Sequence, residues 1–299
     1  MSDTLPGESR RSLSERRAWL RARLASGRTL WAPGIYDGLS AKLAEQAGAE
    51  AAVLSGFALS AALLGEPDAE LYTMTEVRDT LTNISAAVGL PLLVDGDGGY
   101  GNAVNVIRTI RAFEAAGAVS VTIEDQVSPK RCPHVSDDTD LIALDEAVGK
   151  IRAALAARRD PELVIIARTD ARDPEEAIRR ARAYAEAGAD IIKPISGCFR
   201  DLAGLERLRD ACGRPLALSI LGWLEKESPD RIAGVAGIAT FPLAPMLAAA
   251  RALRDTYAAI LDRRSSLDLP IPPIPAQEFR SVIGFDRIEG YEEMFLPKE

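Results

Sequence analysis

"FEAAGAVSVTIED" (residues 113–125) passes from the end of a helix, through a glycine at the position that stops it, into an apolar run that finishes on acids. "AEQAGAEAAVLS" (44–55) and "AYAEAGADIIKP" (183–194) repeat the pattern. Each is one helix-to-strand joint. Strands of the same kind are predicted at residues 30–33, 51–55, 91–95, 119–124, 163–168, 190–194, 215–219 and 234–241. Between them run amphipathic helix patterns, such as Val106, Ile110 and Phe113 at i, i+4 and i+7, and a helix opened by Asp173 with Pro174 at its first position. Strands apolar throughout are buried on both faces, as in a parallel sheet covered by helices. Eight such units predict a closed (β/α)8 TIM-type barrel.

The two ends depart from the repeat. "SLSERRAWLRARLASG" (12–27), with Ser12 and Glu15 spaced as a capping box, predicts a helix ahead of the first strand. A long alanine-rich helix from about Pro245 to Arg264 is followed by "LDLPIPPIPAQEF" (267–279), a stiff proline segment leading to a last short helical stretch. The chain thus divides into an N-terminal tail and helix (1–27), a catalytic barrel (28–264) and a C-terminal arm (265–299). The arm is expected to dock on a partner subunit.

The 299 residues are 47% hydrophobic, enough for a sizeable core, and carry a formal net charge of −8. That charge argues against a general nucleic-acid or membrane-surface binder, so an anionic substrate has to be gathered by local cations. No run approaches a transmembrane helix, and the polar N-terminus lacks a signal-peptide core; the expectation is a cytoplasmic protein. Three cysteines, Cys132, Cys198 and Cys212, without C-x-x-C spacing argue against a disulfide framework or structural zinc. His134 is the only histidine.

In a barrel, chemistry gathers at the C-terminal ends of the strands. One such end, "LLVDGDGGYGN" (92–102), contains the G-x-G-x-x-G of a dinucleotide site, with Glu124 some twenty residues on. Asp95 and Asp97, however, sit where a pyrophosphate would lie and would repel it. With Glu124 they make a hard oxygen site of the kind Mg²⁺ prefers; the plainer reading is that they cap the following helix. "SPKRCPHVSDDTD" (128–140), polar and without a secondary-structure pattern, reads as a lid carrying Lys130, Arg131, Cys132 and His134. Neighbouring cations favour a thiolate, making Cys132 a candidate acid or base, against a zinc ligand or inert thiol; Cys198 and Cys212 read as packing residues. Arg168 directs a charge into the mouth, for a substrate carboxylate or phosphonate or for a structural pair with Asp170 or Glu124. Ser55 and Gly56 offer a hydroxyl and an N–H to a carboxylate, or form a simple turn.

Together, "LSGF…GEPD", "VDGDGGYGN", "IEDQVSPKRCPH" and "ARTDA" resemble the isocitrate lyase and phosphoenolpyruvate mutase superfamily, over roughly Arg28 to Ala250. The resemblance is strongest to the 2-methylisocitrate lyase, carboxyphosphonoenolpyruvate mutase and oxaloacetate decarboxylase group. It implies a Mg²⁺-dependent enzyme, with Mn²⁺ as a substitute, working on small carboxylates through an enolate-like intermediate. By motif position, Asp95, Asp97 and Glu124 would hold the metal and Asp68 would join their network. Ser55, Gly56, Phe57 and Arg168 would bind substrate, and Lys130, Cys132 and His134 would form the gating lid. It also implies a homotetramer with exchanged C-terminal helices. The departures lie in the substrate shell: Pro133 replaces the lid glycine, Val53 the tyrosine before S-G, Ile195 a glutamate and Ser219 an asparagine.

The leading expectation is cleavage of a carbon–carbon bond in a 2-hydroxy di- or tricarboxylate, as in 2-methylisocitrate or dimethylmalate lyases. The alternatives are oxaloacetate decarboxylation, phosphonomutase chemistry, a non-catalytic keto-acid-binding barrel and, on the glycine motif alone, an NAD-dependent oxidoreductase.

Overall fold

The computed structural model describes residues 11–131 and 140–297. Among them eight strands, β1 (Leu30–Ile35), β2 (Ala52–Leu54), β3 (Leu92–Asp95), β4 (Ala118–Glu124), β5 (Val164–Thr169), β6 (Ile191–Pro194), β7 (Leu216–Ser219) and β8 (Ala236–Phe241), form one closed barrel. Each strand pairs in parallel with the next, and β8 returns to β1 with Leu30 opposite Ile238. All eight lie where the apolar runs place them, their ends shifted by at most two residues.

Parallel neighbours need a crossover, and helices supply it. They are α2 (Gly38–Gln46), α3 (Gly56–Leu64), α4 (Met74–Ala87), α5 (Ala103–Ala116), α6 (Leu144–Ala157), α7 (Pro174–Ala187), α8 (Leu202–Cys212), α9 (Pro229–Ala233) and α10 (Ala244–Arg263). Alternate strand residues serve two apolar layers. Leu30, Val53, Leu93, Ile166, Ile191 and Ile238 fill the barrel, while Ile35, Leu54, Val94, Ile123, Ile165 and Ile192 face the helices. On α5 the stripe Val106, Ile110 and Phe113 is fully buried in that outer layer. Losing a side chain such as Phe113 there costs about 3–5 kcal/mol.

The lower end of the barrel is plugged by α1 (Leu13–Ala25), which begins with the expected Ser12–Glu15 capping box. Leu20 enters the inner apolar layer, and arginines on the same helix tie it to the strand ends. Arg17 donates to the Ala118 and Glu114 carbonyls at 3.0 and 2.6 Å and pairs with Asp160 at 3.0 Å. Arg21 pairs with Asp190 at 2.8 Å and donates to the Pro161, Glu162 and Leu163 carbonyls.

Beyond α10 the last helical stretch is two helices, α11 (Ala276–Ile283) and α12 (Phe285–Phe295), parted at Gly284. The arm lies beside α2, where Lys42 Nζ donates to the Ile283 carbonyl at 3.2 Å. Leu253, Tyr257, Leu261 and Phe295 on α10 and α12 remain more than half exposed. No described helix is long and apolar enough to cross a membrane.

Candidate metal and substrate site

Past the end of β3 the chain keeps pairing with β4: Gly96 N–H donates to the Thr122 carbonyl at 3.0 Å, and Glu124 N–H to the Asp97 carbonyl at 2.9 Å. This extension delivers Asp97 beside Glu124. A Cβ at position 96 would stand 2.7 Å from the Thr122 carbonyl oxygen, so the close approach needs glycine. Asp97 itself turns through the left-handed region (φ +45°), a conformation unusual for a residue with a side chain. The following helix starts only at Ala103. Its Asn102 cap accepts from Val104 N–H at 2.9 Å, so its first turn serves the protein rather than a pyrophosphate. Asp95, Asp97 and Glu124 instead place carboxylate oxygens within 4.8 Å of one another.

Asp97, 1% exposed, accepts from the hydroxyls of Tyr72 (2.8 Å) and Tyr100 (3.2 Å) and from Lys130 Nζ (2.5 Å). Lys130 Nζ also stands 2.8 Å from Asp68 Oδ1 and 4.0 Å from Glu124 Oε1. Gln126 donates to Glu124 Oε1 at 3.0 Å. Arg168 Nη1 lies 3.0 Å from Glu124 Oε2 without hydrogen-bond alignment, leaving that buried oxygen, like Asp68 Oδ1, with no hydrogen bond. Buried anionic oxygens short of donors, on a set of hard ligands, fit a divalent cation such as Mg²⁺.

Desolvation decides most of the proton affinities. It pushes the Glu124 carboxyl up to about 8, with Arg168 and Lys130 pulling against it. At Asp95 desolvation is the largest influence, yet the summed charges of Lys193, Arg168 and Lys130 hold the carboxyl below its ordinary value. Asp68 is raised by burial against Lys130. Burial works against a charged Lys130 as well, but Glu124, Asp97, Asp68 and Asp95 outweigh it and keep the ammonium protonated.

The structure gathers Asp68, Asp95, Asp97, Glu124, Lys130 and Arg168 into one cluster. Ser55 and Gly56 border it at the start of α3. Ser55 is the N-cap of that helix, so the segment is a helix start rather than a simple turn, and its hydroxyl makes no capping hydrogen bond. A Cβ at Gly56 would overlap the Tyr72 hydroxyl and stand 3.7 Å from Asp97 Oδ1; Phe57 beside it is half-buried. Arg168 meets both of its structural expectations, pairing with Asp170 at 2.6 Å as well as with Glu124.

Cys132 and His134, the other two residues of the expected lid, lie outside the described residues. The described ends of that segment are pinned rather than loose. Gln126 and Leu141 form an antiparallel bridge, Val127 N–H donates to the Asp140 carbonyl at 2.8 Å, and Glu70 accepts from Ser128 Oγ and Lys130 N–H. Of the cations next to Cys132 in sequence, Lys130 is paired with Asp68 and Asp97, and Arg131 with Asp140 at 2.8 Å.

Sequence reading misses Glu70, Tyr72, Tyr100, Gln126 and Lys193. The tyrosines and Glu70 carry no spacing signal, because tertiary folding alone brings the 70–72 loop to Asp97 and Lys130. Lys193 follows an apolar strand as Arg168 does, and that position was the available signal.

Residues 20–261 match the phosphoenolpyruvate phosphomutase family. The chain is 35% identical over 285 residues to the 2,3-dimethylmalate lyase of Eubacterium barkeri, spanning 93% of this chain and 97% of that protein. It is 43% identical over 217 residues to the oxaloacetate decarboxylase of Chromohalobacter salexigens, spanning 72% and 74%. Among solved structures it resembles a phosphonopyruvate hydrolase complexed with oxalate and Mg²⁺, with a TM-score of 0.85, 33% identity and 94% and 99% of the two chains covered. A 2,3-dimethylmalate lyase in a trigonal crystal form gives a TM-score of 0.84 at 30% identity, with 95% of each chain covered. With the barrel, the strand-end acids and these likenesses in accord, the chain belongs to the phosphoenolpyruvate phosphomutase family of the PEP mutase/isocitrate lyase superfamily, and is an enzyme of that family.

Proposed function

We propose that the protein is a Mg²⁺-dependent lyase that breaks a carbon–carbon bond in a 2-hydroxy dicarboxylate of the dimethylmalate type. The observation that carries this reading is the buried Asp95–Asp97–Glu124 cluster facing the cationic wall of Arg168 and Lys193. Asp95, Asp97 and Glu124 hold the metal and its waters, and Mn²⁺ substitutes for Mg²⁺. When bound, the ion supplies Lewis acidity that lowers the pKa of a chelated hydroxyl and favours the 2-oxo product. Arg168, oriented by Asp170, directs its guanidinium at the substrate's carboxylate; Ser55 Oγ and the Gly56 N–H add donors from the opposite wall. The C2 hydroxyl gives its proton to a water in the site as the bond between C2 and C3 breaks, C3 takes a proton from Cys132 once the lid of Lys130, Cys132 and His134 has excluded bulk water, and the Cys132 thiolate regains a proton from solvent when the lid opens. Lengthwise coverage of the dimethylmalate lyase supports placing this reading first.

Oxaloacetate decarboxylation is the second reading, supported by the higher identity to a decarboxylase, 43% over 217 residues. There the bond to the distal carboxylate breaks, carbon dioxide leaves, and the resulting enolate takes its proton from water. The test is Mg²⁺-dependent turnover of 2,3-dimethylmalate, 2-methylisocitrate, oxaloacetate and phosphonopyruvate, followed by proton and phosphorus NMR. Pyruvate and propionate from dimethylmalate are the expected products. Turnover of oxaloacetate alone moves the assignment to decarboxylation, and turnover of phosphonopyruvate alone rejects both.

A further inference from the structure

Three basic side chains enter the mouth of the barrel, and their circumstances differ. Lys130 is held by Asp68 and Asp97, and Arg168 by Asp170 and Glu124. Lys193 has no carboxylate of the described residues within salt-bridge distance. Its direction follows from register. Glu124 is opposite Arg168 and Arg168 opposite Lys193, and register partners in a parallel sheet project from one face. Two residues earlier on that face, Ile166 and Ile191 belong to the layer filling the barrel, so Lys193 stands on the inner wall directly above it.

The chain places this cation at a cost. Burial lowers the Lys193 pKa below the ordinary lysine value, Arg168 adds to the effect, and Asp95 is the strongest charge opposing it. Asp95 is also a member of the metal cluster, so its charge would be shared with a bound ion. Lys193 then faces the space next to the metal with its own charge largely uncompensated. A compact ammonium in that position is a point charge that can donate to one oxygen of a terminal acidic group, where Arg168 offers a planar fork.

Resting on the metal-site reading above, we propose that Lys193 anchors the distal carboxylate of the substrate, so that the site selects dianionic acids whose second carboxylate lies one carbon beyond the metal-chelating head. Lys193 is thereby a specificity-determining residue.

The experiment compares ligands sharing one 2-hydroxy acid head, titrated calorimetrically into full-length protein with Mg²⁺: malate, with a distal carboxylate; lactate, with none; and 3-phosphonolactate, with a distal phosphonate. Oxalate, all head and no distal group, reports on the metal site independently. Wild type should bind malate at least about tenfold more tightly than lactate, the scale of one charge-assisted hydrogen bond. Lys193→Met should reduce that preference to within about twofold, with any general loss of a positive charge shifting lactate and malate alike and oxalate still bound at saturating Mg²⁺, and Lys193→Arg should retain part of it. Mg²⁺-dependent oxalate binding by the variant shows that it is folded with a working metal site. A Lys193→Met protein that keeps the wild-type malate preference, or a wild type without one, overturns the proposal. Tighter binding of 3-phosphonolactate than malate overturns the distal carboxylate in favour of a phosphonate. Failure of wild type to bind oxalate with Mg²⁺ refutes instead the metal site on which the proposal rests.

Discussion

The two ends of the barrel handle charge in opposite ways. At the lower end, the guanidinium groups of Arg17 and Arg21 are spread over backbone carbonyls and over Asp160 and Asp190, so cation and acceptor are matched in place. At the mouth, Asp68, Asp95, Asp97 and Glu124 crowd around Lys130 and Arg168, buried carboxylate oxygens lack hydrogen bonds, and Lys193 stands without an ion pair among the described residues. The lower end supplies acceptors for these two guanidinium groups from its own chain, although Arg23 on the same helix keeps Nε and Nη1 buried without a hydrogen bond. Paired charge at the lower end suits a stabilising role, and the crowded charge at the mouth is what the proposed metal and substrate site requires.

That contrast can be broken by experiment, beginning with the largest effect. Chelation of the metal, or Asp97→Asn, should lower turnover on the order of 10³-fold, since several kcal/mol of transition-state stabilisation are lost. Melting without metal should be unchanged or raised, because one of the crowded charges is gone. Full turnover after exhaustive chelation would sink the metal assignment. Next, Cys132→Ser should cost about 10²–10⁴ in single-turnover rate with ligand affinity retained, the range for a positioned acid. A rate within about threefold of wild type would reject the role of Cys132 and favour decarboxylation.

The pH dependence of metal binding sharpens the comparison further. In the metal-free protein the Glu124 pKa is raised, so below about 8 its proton must leave before the ion binds. Apparent Mg²⁺ affinity should rise up to tenfold per pH unit between about pH 6 and 8, then level. The raised pKa also means that Glu124 contributes stability to the metal-free fold below its unfolded pKa and loses it as pH climbs through about 8. A pH-independent affinity would show that Glu124 is already ionised. At the lower end, Arg17→Met should leave turnover within about twofold of wild type but cost about 2 kcal/mol, roughly 4–8 °C in melting. A large loss of turnover in a stably folded Arg17→Met protein would erase the distinction between the ends. The smallest effect on chemistry should come from removing the residues after Leu267: if the exposed apolar residues of α10 and α12 are covered by another subunit, as the expected docking of the arm requires, solution mass should fall. Unchanged mass and unchanged melting would rule that out.

The barrel was legible because strands buried on both faces show up as unbroken apolar runs, and helix-ending glycines mark the joints between Ala116 and Ala118 and between Ala187 and Ala189. The strand-end acids were legible because Asp95, Asp97 and Glu124 collect at the mouth ends of two neighbouring apolar strands, although other strand-end acids such as Asp37 and Asp125 serve a helix cap and an internal ion pair. Less was visible where position depends on distant partners. "GFALSAALL" has no polar face to betray the helix α3, and Tyr72 reaches Asp97 only through the folded loop. Lys130 reads as a lid residue from its polar neighbours, yet it is buried among acids brought from β3 and β4. For Lys193, residue type was plain but direction was not, since the inward face is settled only by register with Arg168 and Glu124.

The plugging helix α1 also sets an order of events during synthesis. It is the first of the described helices in chain order, yet the partners of Arg17 lie 97, 101 and 143 residues downstream and Asp190, the partner of Arg21, lies 169 downstream. Its docking surface does not exist until β4, β5 and the start of β6 have been built. A nascent chain halted before Asp190 should therefore leave α1 open to protease, and a chain extended past it should protect the same helix: a helix made early is sealed in only once Asp190, 169 residues beyond Arg21, has followed it.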